Sequence, residues 1–150
     1  MTLARCMLQL MKPYSMKLFL LLFFGFSISV MGQHTLSVSL HNTPSSDGAV
    51  KVAVYDSEGA FLKFDSVYKS GSAKADKNKV VVQIKDVAEG KYAIAVFHDA
   101  NDNNELDTNW LGIPKEKVAF SKAKMKAFGP PKFKECAFTV NKDTEVDVYF

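Results

Sequence analysis

Arginine is nearly missing from this chain. Arg5 is the only one in 150 residues, and every basic residue from Gln33 onward is lysine. Without the bidentate guanidinium fork the chain lacks the commonest reader of guanine edges, which argues against nucleic acid as a partner. Cysteine is as scarce: Cys6 lies near the start and Cys136 near the end. Histidine occurs three times, at His34, His41 and His98, with no zinc-ligand spacing. No nucleophile elbow and no phosphate loop can be found. No segment keeps a helical period over a full helix length. Long apolar runs are lacking too, with one exception.

That exception is Leu18 to Phe26, too short to span a bilayer. Lys17 precedes it and Val30-Met31-Gly32 follows, the order of a secretory leader. Residues 1–32 are therefore read as a signal peptide cut after Gly32, with Met16 as an alternative true start. Gln33 follows the cut, where a lipoprotein would need Cys. The exported chain is expected in the periplasm or outside the cell, with no transmembrane segment after cleavage. Residues 33–150 are the length of one domain. With Arg5, Lys12 and Lys17 removed, sixteen lysines face sixteen acids, so the +3 of the whole chain becomes zero. Cys6 also leaves, so no internal disulfide is possible and the domain must hold by its core.

What remains alternates. Leu36, Val38 and Leu40 form one half-buried strand, Val50, Val52 and Val54 the next, and Val80 to Ile84 another. Tyr92 to Asp99 is apolar on both faces, which suits a central, covered strand. Glu135–Val140 and Glu145–Phe150 close the set. Turn residues such as Asn42 to Gly48 and Asp56 to Gly59 separate them. Six or seven short strands of this kind predict an all-β protein, an antiparallel β-sandwich. Cys136 is placed on a face with Phe138 and Val140, as a core thiol. His98 follows core-facing Tyr92, Ile94 and Val96 and reads as a hydrogen-bonded structural residue.

The densest set of oxygen ligands follows the central strand. Asp99, Asn101, Asn103, Glu105 and Asp107 stand at every second position, the spacing of an EF-hand loop at its positions 1, 3, 5, 7 and 9. Short Asp and Asn side chains on a curled backbone suit a hard cation such as calcium. In that reading Glu105 gives its backbone carbonyl and Leu106 points inward. Position 6 is Asn104 in place of Gly, and position 12 is Trp110 in place of the bidentate Glu. The same residues also make a metal-free turn, because Asp and Asn bond their own backbone two residues on. Trp110, the only Trp, is expected to pack by folding back over this loop.

From Lys115 to Lys134 the chain holds seven lysines and one acid, Glu116. Either this segment attracts the acidic loop, or it meets an anionic envelope glycan or lipid headgroup, or a protein.

His98 to Asp107, then Leu111 to Glu116, Phe120-Ser121, Gly129 to Phe133 and Ala137-Phe138 together resemble the bacterial DUF2141 family over most of residues 36–150. That resemblance implies an exported protein of a functionally uncharacterised family. Asn104 departs from it, since the family pattern usually has Gly there. Ile84 to Ile94 also resembles the prealbumin-like modules of carboxypeptidase regulatory domains, which implies an Ig-like or transthyretin-like sandwich. Transthyretin-like hydroxyisourate hydrolases are similar in presumed fold, but their Tyr-Arg-Gly-Ser ending is replaced here by Asp147-Val-Tyr-Phe150. The expectation is a non-enzymatic binding or structural module. The alternative is a transthyretin-like hydrolase or other enzyme using the carboxylates between Asp99 and Asp107.

Overall fold

Strands with apolar residues at every second position can each bury one face. In the computed structural model, which describes residues 33–150, they bury those faces against one another. The strands are β1 (Gln33–His41), β2 (Ala49–Tyr55), β3 (Lys69–Lys74), β4 (Lys79–Ala88), β5 (Gly90–Asp99), β6 (Val118–Phe120), β7 (Phe138–Val140) and β8 (Thr144–Tyr149). One sheet has the order β4-β1-β8. The other has the order β3-β2-β5-β6, with β7 also paired to β5.

Between the sheets lies one continuous core. Leu36, Val38 and Leu40 of β1 share it with Val50, Val52 and Val54 of β2 and with Ile94 and Val96 of β5. Each such side chain, fully buried, contributes about 1.5–3 kcal/mol. This is the expected β-sandwich. The outer face of β5 is covered differently. There Ala93 joins Phe120 and Cys136, with Phe61, Leu62 and Phe133 packed on them. Phe61 meets Tyr55 and Phe133 edge-on, at ring distances of 5.4 and 5.9 Å. The apolar character of both faces of β5 is thus accounted for by one sheet and one set of loops.

Four features differ from the sequence reading. There are eight strands among the described residues, in place of six or seven, and β1, β4 and β5 run to nine or ten residues. Two strands lack apolar alternation: the polar edge strand β3, and β6, whose Val118, Ala119 and Phe120 sit inside the lysine-rich segment. Pairing is not antiparallel throughout: β1 and β8 are parallel, from Leu36 opposite Thr144 to His41 opposite Tyr149. Finally, Glu135 does not begin a strand. Phe133–Cys136 forms one helical turn, α1, in which Glu135 Oε2 accepts the Lys132 N–H at 2.7 Å. Cys136 is buried as expected, but it faces the outer cluster of Phe120 and Ala93 and not the inter-sheet core of Phe138 and Val140. The predicted leader, residues 1–32 with its alternative start at Met16, lies outside the described residues.

Candidate functional site

The acidic loop begins on a rigid support. Asp99 is the last residue of β5, opposite Ala49 of β2, and is fully buried. Just before it, buried His98 is hydrogen-bonded through Nε2 to the Asp47 carbonyl at 2.8 Å. Since a carbonyl only accepts, that nitrogen carries the proton. The turn so held, Asp47-Gly48, presses on the loop. A Cβ placed on Gly48 would stand 2.0 Å from the Asp99 carbonyl oxygen and 2.9 Å from the Ala100 backbone, and Gly48 has φ +64°. Only glycine allows this approach.

From Asp99 the chain curls around its own side chains. Asp99 Oδ1 accepts the Asn103 N–H at 3.1 Å and Oδ2 the Asn104 N–H at 2.9 Å. Asn101 Oδ1 also accepts the Asn103 N–H, at 3.2 Å, and Asn103 Oδ1 accepts the Glu105 N–H at 2.8 Å. Asn101 and Asn103 turn their amide N–H groups to Asp107, at 2.9 and 3.3 Å. The loop passes through the left-handed region at Asp102 (φ 58°) and Asn104 (φ 66°), where short polar side chains are tolerated. Four of the five predicted residues, Asp99, Asn101, Asn103 and Asp107, are therefore linked through side chains. Glu105 enters by its backbone, and its side chain is exposed. Leu106 is half-buried and lines an apolar cavity of about 220 Å³ against Ala95 and Phe97, the inward role expected of it.

Two residues of this site carried no local signal in the sequence. Lys51, on β2, donates to Asn104 Oδ1 at 2.6 Å and lies 3.8 Å from Asp99 Oδ2 and 4.0 Å from Asp102 Oδ1. It sets a positive charge beside the buried carboxylate. Glu116 accepts the N–H of Ala100 at 3.3 Å and of Asp107 at 3.1 Å, one on each oxygen. It thereby ties the loop's beginning to its end. Its one available cue was that the loop lacks an acid at position 12, while Glu116 is the only acid in the returning segment.

Trp110 does not fold back over the loop, contrary to expectation; it is 90% exposed. Cys136 is sealed in the outer cluster, and burial pushes its thiol up to about 11. It is therefore a protonated, poor nucleophile at neutral pH. Among the described residues no group of three or more His, Cys, Asp and Glu is placed to hold a metal. Half of the linked side chains in the loop are Asn, which supply neutral oxygens. Among the described residues no helix is long and apolar enough to cross a membrane.

A family model matches residues 38–148 and so spans most of the sandwich together with the loop. The chain belongs to DUF2141. That family is described as uncharacterized proteins conserved in bacteria. No curated protein and no solved structure matches the chain.

Proposed function

We propose that this DUF2141 protein is an exported, non-enzymatic binding or structural module of the bacterial cell envelope, an Ig-like or transthyretin-like sandwich whose Asp99–Asp107 loop takes one calcium ion weakly. The observation that carries the reading is the gathering of Asp99, Asn101, Asn103 and Asp107 onto one another at the buried end of β5. Alternate positions of an extended chain would hold these oxygens apart; the curled backbone brings them to one place.

Each oxygen that accepts one N–H keeps a lone pair for an ion. Asp99, Asn101, Asn103 and Asp107 supply side-chain oxygens and Glu105 its backbone carbonyl. Two amide N–H groups now face Asp107, where a cation would otherwise balance it, so Asp107 is the ligand most sensitive to the ion. No bidentate Glu stands at position 12, and the affinity belongs in the micromolar to millimolar range of low-ligand extracellular modules. Support for a non-enzymatic role comes from the same contacts. Asp99 and Glu116 are engaged with backbone N–H groups, a structural use that weighs against these two carboxylates in acid–base work. Export rests on the leader pattern of residues 17–32.

Thermal unfolding in calcium and in chelator tests the loop. The parent should gain stability, about 2.7 kcal/mol at a hundredfold excess over the dissociation constant, and Asp107→Ala should not. A parent midpoint that stays fixed in millimolar calcium would reduce the loop to a metal-free Asx turn. The intact mass of the exported protein tests the compartment; a species beginning at Gln33 is expected, and retention of residues 17–32 would contradict it.

A further inference from the structure

The loops around β5 and β6 expose large apolar side chains. Trp110 is 90% exposed and Phe128 entirely so, with Leu111, Ile113, Met125 and Phe64 also standing out. Monomeric proteins do not usually leave such a group in water without a use for it.

Slack loops do not explain the exposure. The turn bearing Trp110 is closed by a bridge between Thr108 and Pro114 and by the Asn109 N–H to Ile113 O bond at 2.9 Å. Asn109 Oδ1 then accepts the N–H of Leu111 and of Ile113, both at 2.9 Å. The turn bearing Phe128 is closed by reciprocal bonds between Lys126 and Gly129, at 3.0 and 3.4 Å. Each turn is closed by backbone hydrogen bonds, with its aromatic ring in solvent.

The two turns border common ground. Gly112, Pro114, Met125 and Pro130 line both the apolar cavity over Ala95 and Phe97 and a second cleft that reaches Phe150. Lysine predominates in the second cleft, where Lys115, Lys117 and Lys124 are exposed, while the acids Asp102 and Glu105 stand on the neighbouring loop. The one acid of the lysine-rich segment, Glu116, is turned to the N–H groups of Ala100 and Asp107. Lys51 draws in Asp99 and Asp102 from the neighbouring loop.

Rigid aromatic tips ringed by lysines match one kind of partner in both chemistry and shape. We infer that this face docks on the surface of an anionic lipid bilayer. Trp110 and Phe128 enter the headgroup region, where an amphipathic indole and an apolar ring are both favoured. The lysine ammonium groups meet lipid phosphates at the same depth. A protein groove would call for a matching apolar shape. Here the apolar groups are separate tips, and the charges are lysines on flexible stems, which suit a fluid surface. The inference names a partner for the envelope module proposed above and rests on that reading for its compartment alone. Binding to vesicles is measured on purified protein and export by intact mass, so either can fail without the other.

Trp110 is the chain's single Trp, so its emission reports this turn alone. Purified protein is mixed with vesicles of phosphatidylethanolamine and phosphatidylglycerol, and separately with vesicles of phosphatidylcholine. With the anionic vesicles the emission should shift to the blue, lose its quenching by aqueous acrylamide, and the protein should float with the lipid. High salt should release it. Phe128→Ser should weaken vesicle binding by about tenfold, and Lys115→Gln with Lys117→Gln and Lys124→Gln by about a hundredfold, while the thermal midpoint stays put. Unchanged Trp110 emission with anionic vesicles overturns the inference. So does equal binding to phosphatidylcholine. A dimer seen without lipid and dissolved by Phe128→Ser would assign the face to a second copy of the chain instead.

Discussion

Two consecutive turns leave β5 and treat their side chains in opposite ways. Asp99–Asp107 folds its polar side chains inward, onto its own N–H groups and onto one another. Thr108–Pro114 closes through its backbone and Asn109, and leaves Trp110, Leu111 and Ile113 in solvent. Both are anchored to the returning chain, the first by Glu116 and the second by the Lys115 N–H to Asp107 O bond at 2.8 Å. The difference lies in reach. A short Asp or Asn side chain satisfies a backbone donor two to five residues on, so a run of them builds a loop from within. A large apolar side chain can do nothing for its own backbone. It must pack on something, and these turns hold it away from the protein's own core.

If the first turn is built from its side chains, damage to their support should be severe, and damage to the second turn mild. The largest effect is expected at Gly48. Gly48→Ala puts a methyl group into the Asp99 carbonyl at a positive φ and should cost about 4 kcal/mol. Gly112→Ala, in the second turn, also has a positive φ (+75°) but open space around it. It should cost about 1 kcal/mol. Equal losses in denaturant unfolding would erase the contrast.

Next comes Asp99→Ala. It leaves the Asn103 and Asn104 N–H groups without their buried acceptor and Lys51 without its partner. A loss of about 3 kcal/mol is expected by urea unfolding, and amide exchange at Asn103 and Asn104 should quicken. A loss below 1 kcal/mol would mean that the loop does not depend on its first side chain.

Glu116→Gln is milder. One carbonyl oxygen remains for one of two N–H groups, so about 1 kcal/mol should go, with faster exchange at Ala100 or Asp107. Trp110→Ala should be the smallest change, within about 0.5 kcal/mol, because the side chain is almost wholly in water. A larger loss would show that Trp110 packs after all.

The strands were legible because burial on one face imposes a period of two. Leu36, Val38 and Leu40, like Val50, Val52 and Val54, alternate in sequence and are all fully buried. The pairing of β1 with β8 was not legible, since alternation says which face is buried and not which strand lies alongside. β6 was hidden because three residues among lysines are too short for a pattern. The site was half legible. Asp99 to Asp107 announced itself by spacing, and Asn104 took the left-handed conformation that its side chain permits. Lys51 and Glu116 are single charges, separated in sequence from the groups they hold, and only the fold brings them there. Trp110 was misjudged because the usual fate of a Trp is burial, and a closed turn overrides it.

We propose the Asp99–Asp107 loop as a weak calcium site at the end of β5. That proposal is tested most directly by titrating calcium into the ¹⁵N-labelled protein and following backbone amide resonances. Saturable shifts are expected at millimolar calcium or below, concentrated at Ala100, Asn103, Asn104, Glu105 and Asp107, and lost in Asp107→Ala. Resonances that stay still throughout, or that move instead along Lys115–Lys134 or at a remote face of the sandwich, would contradict it.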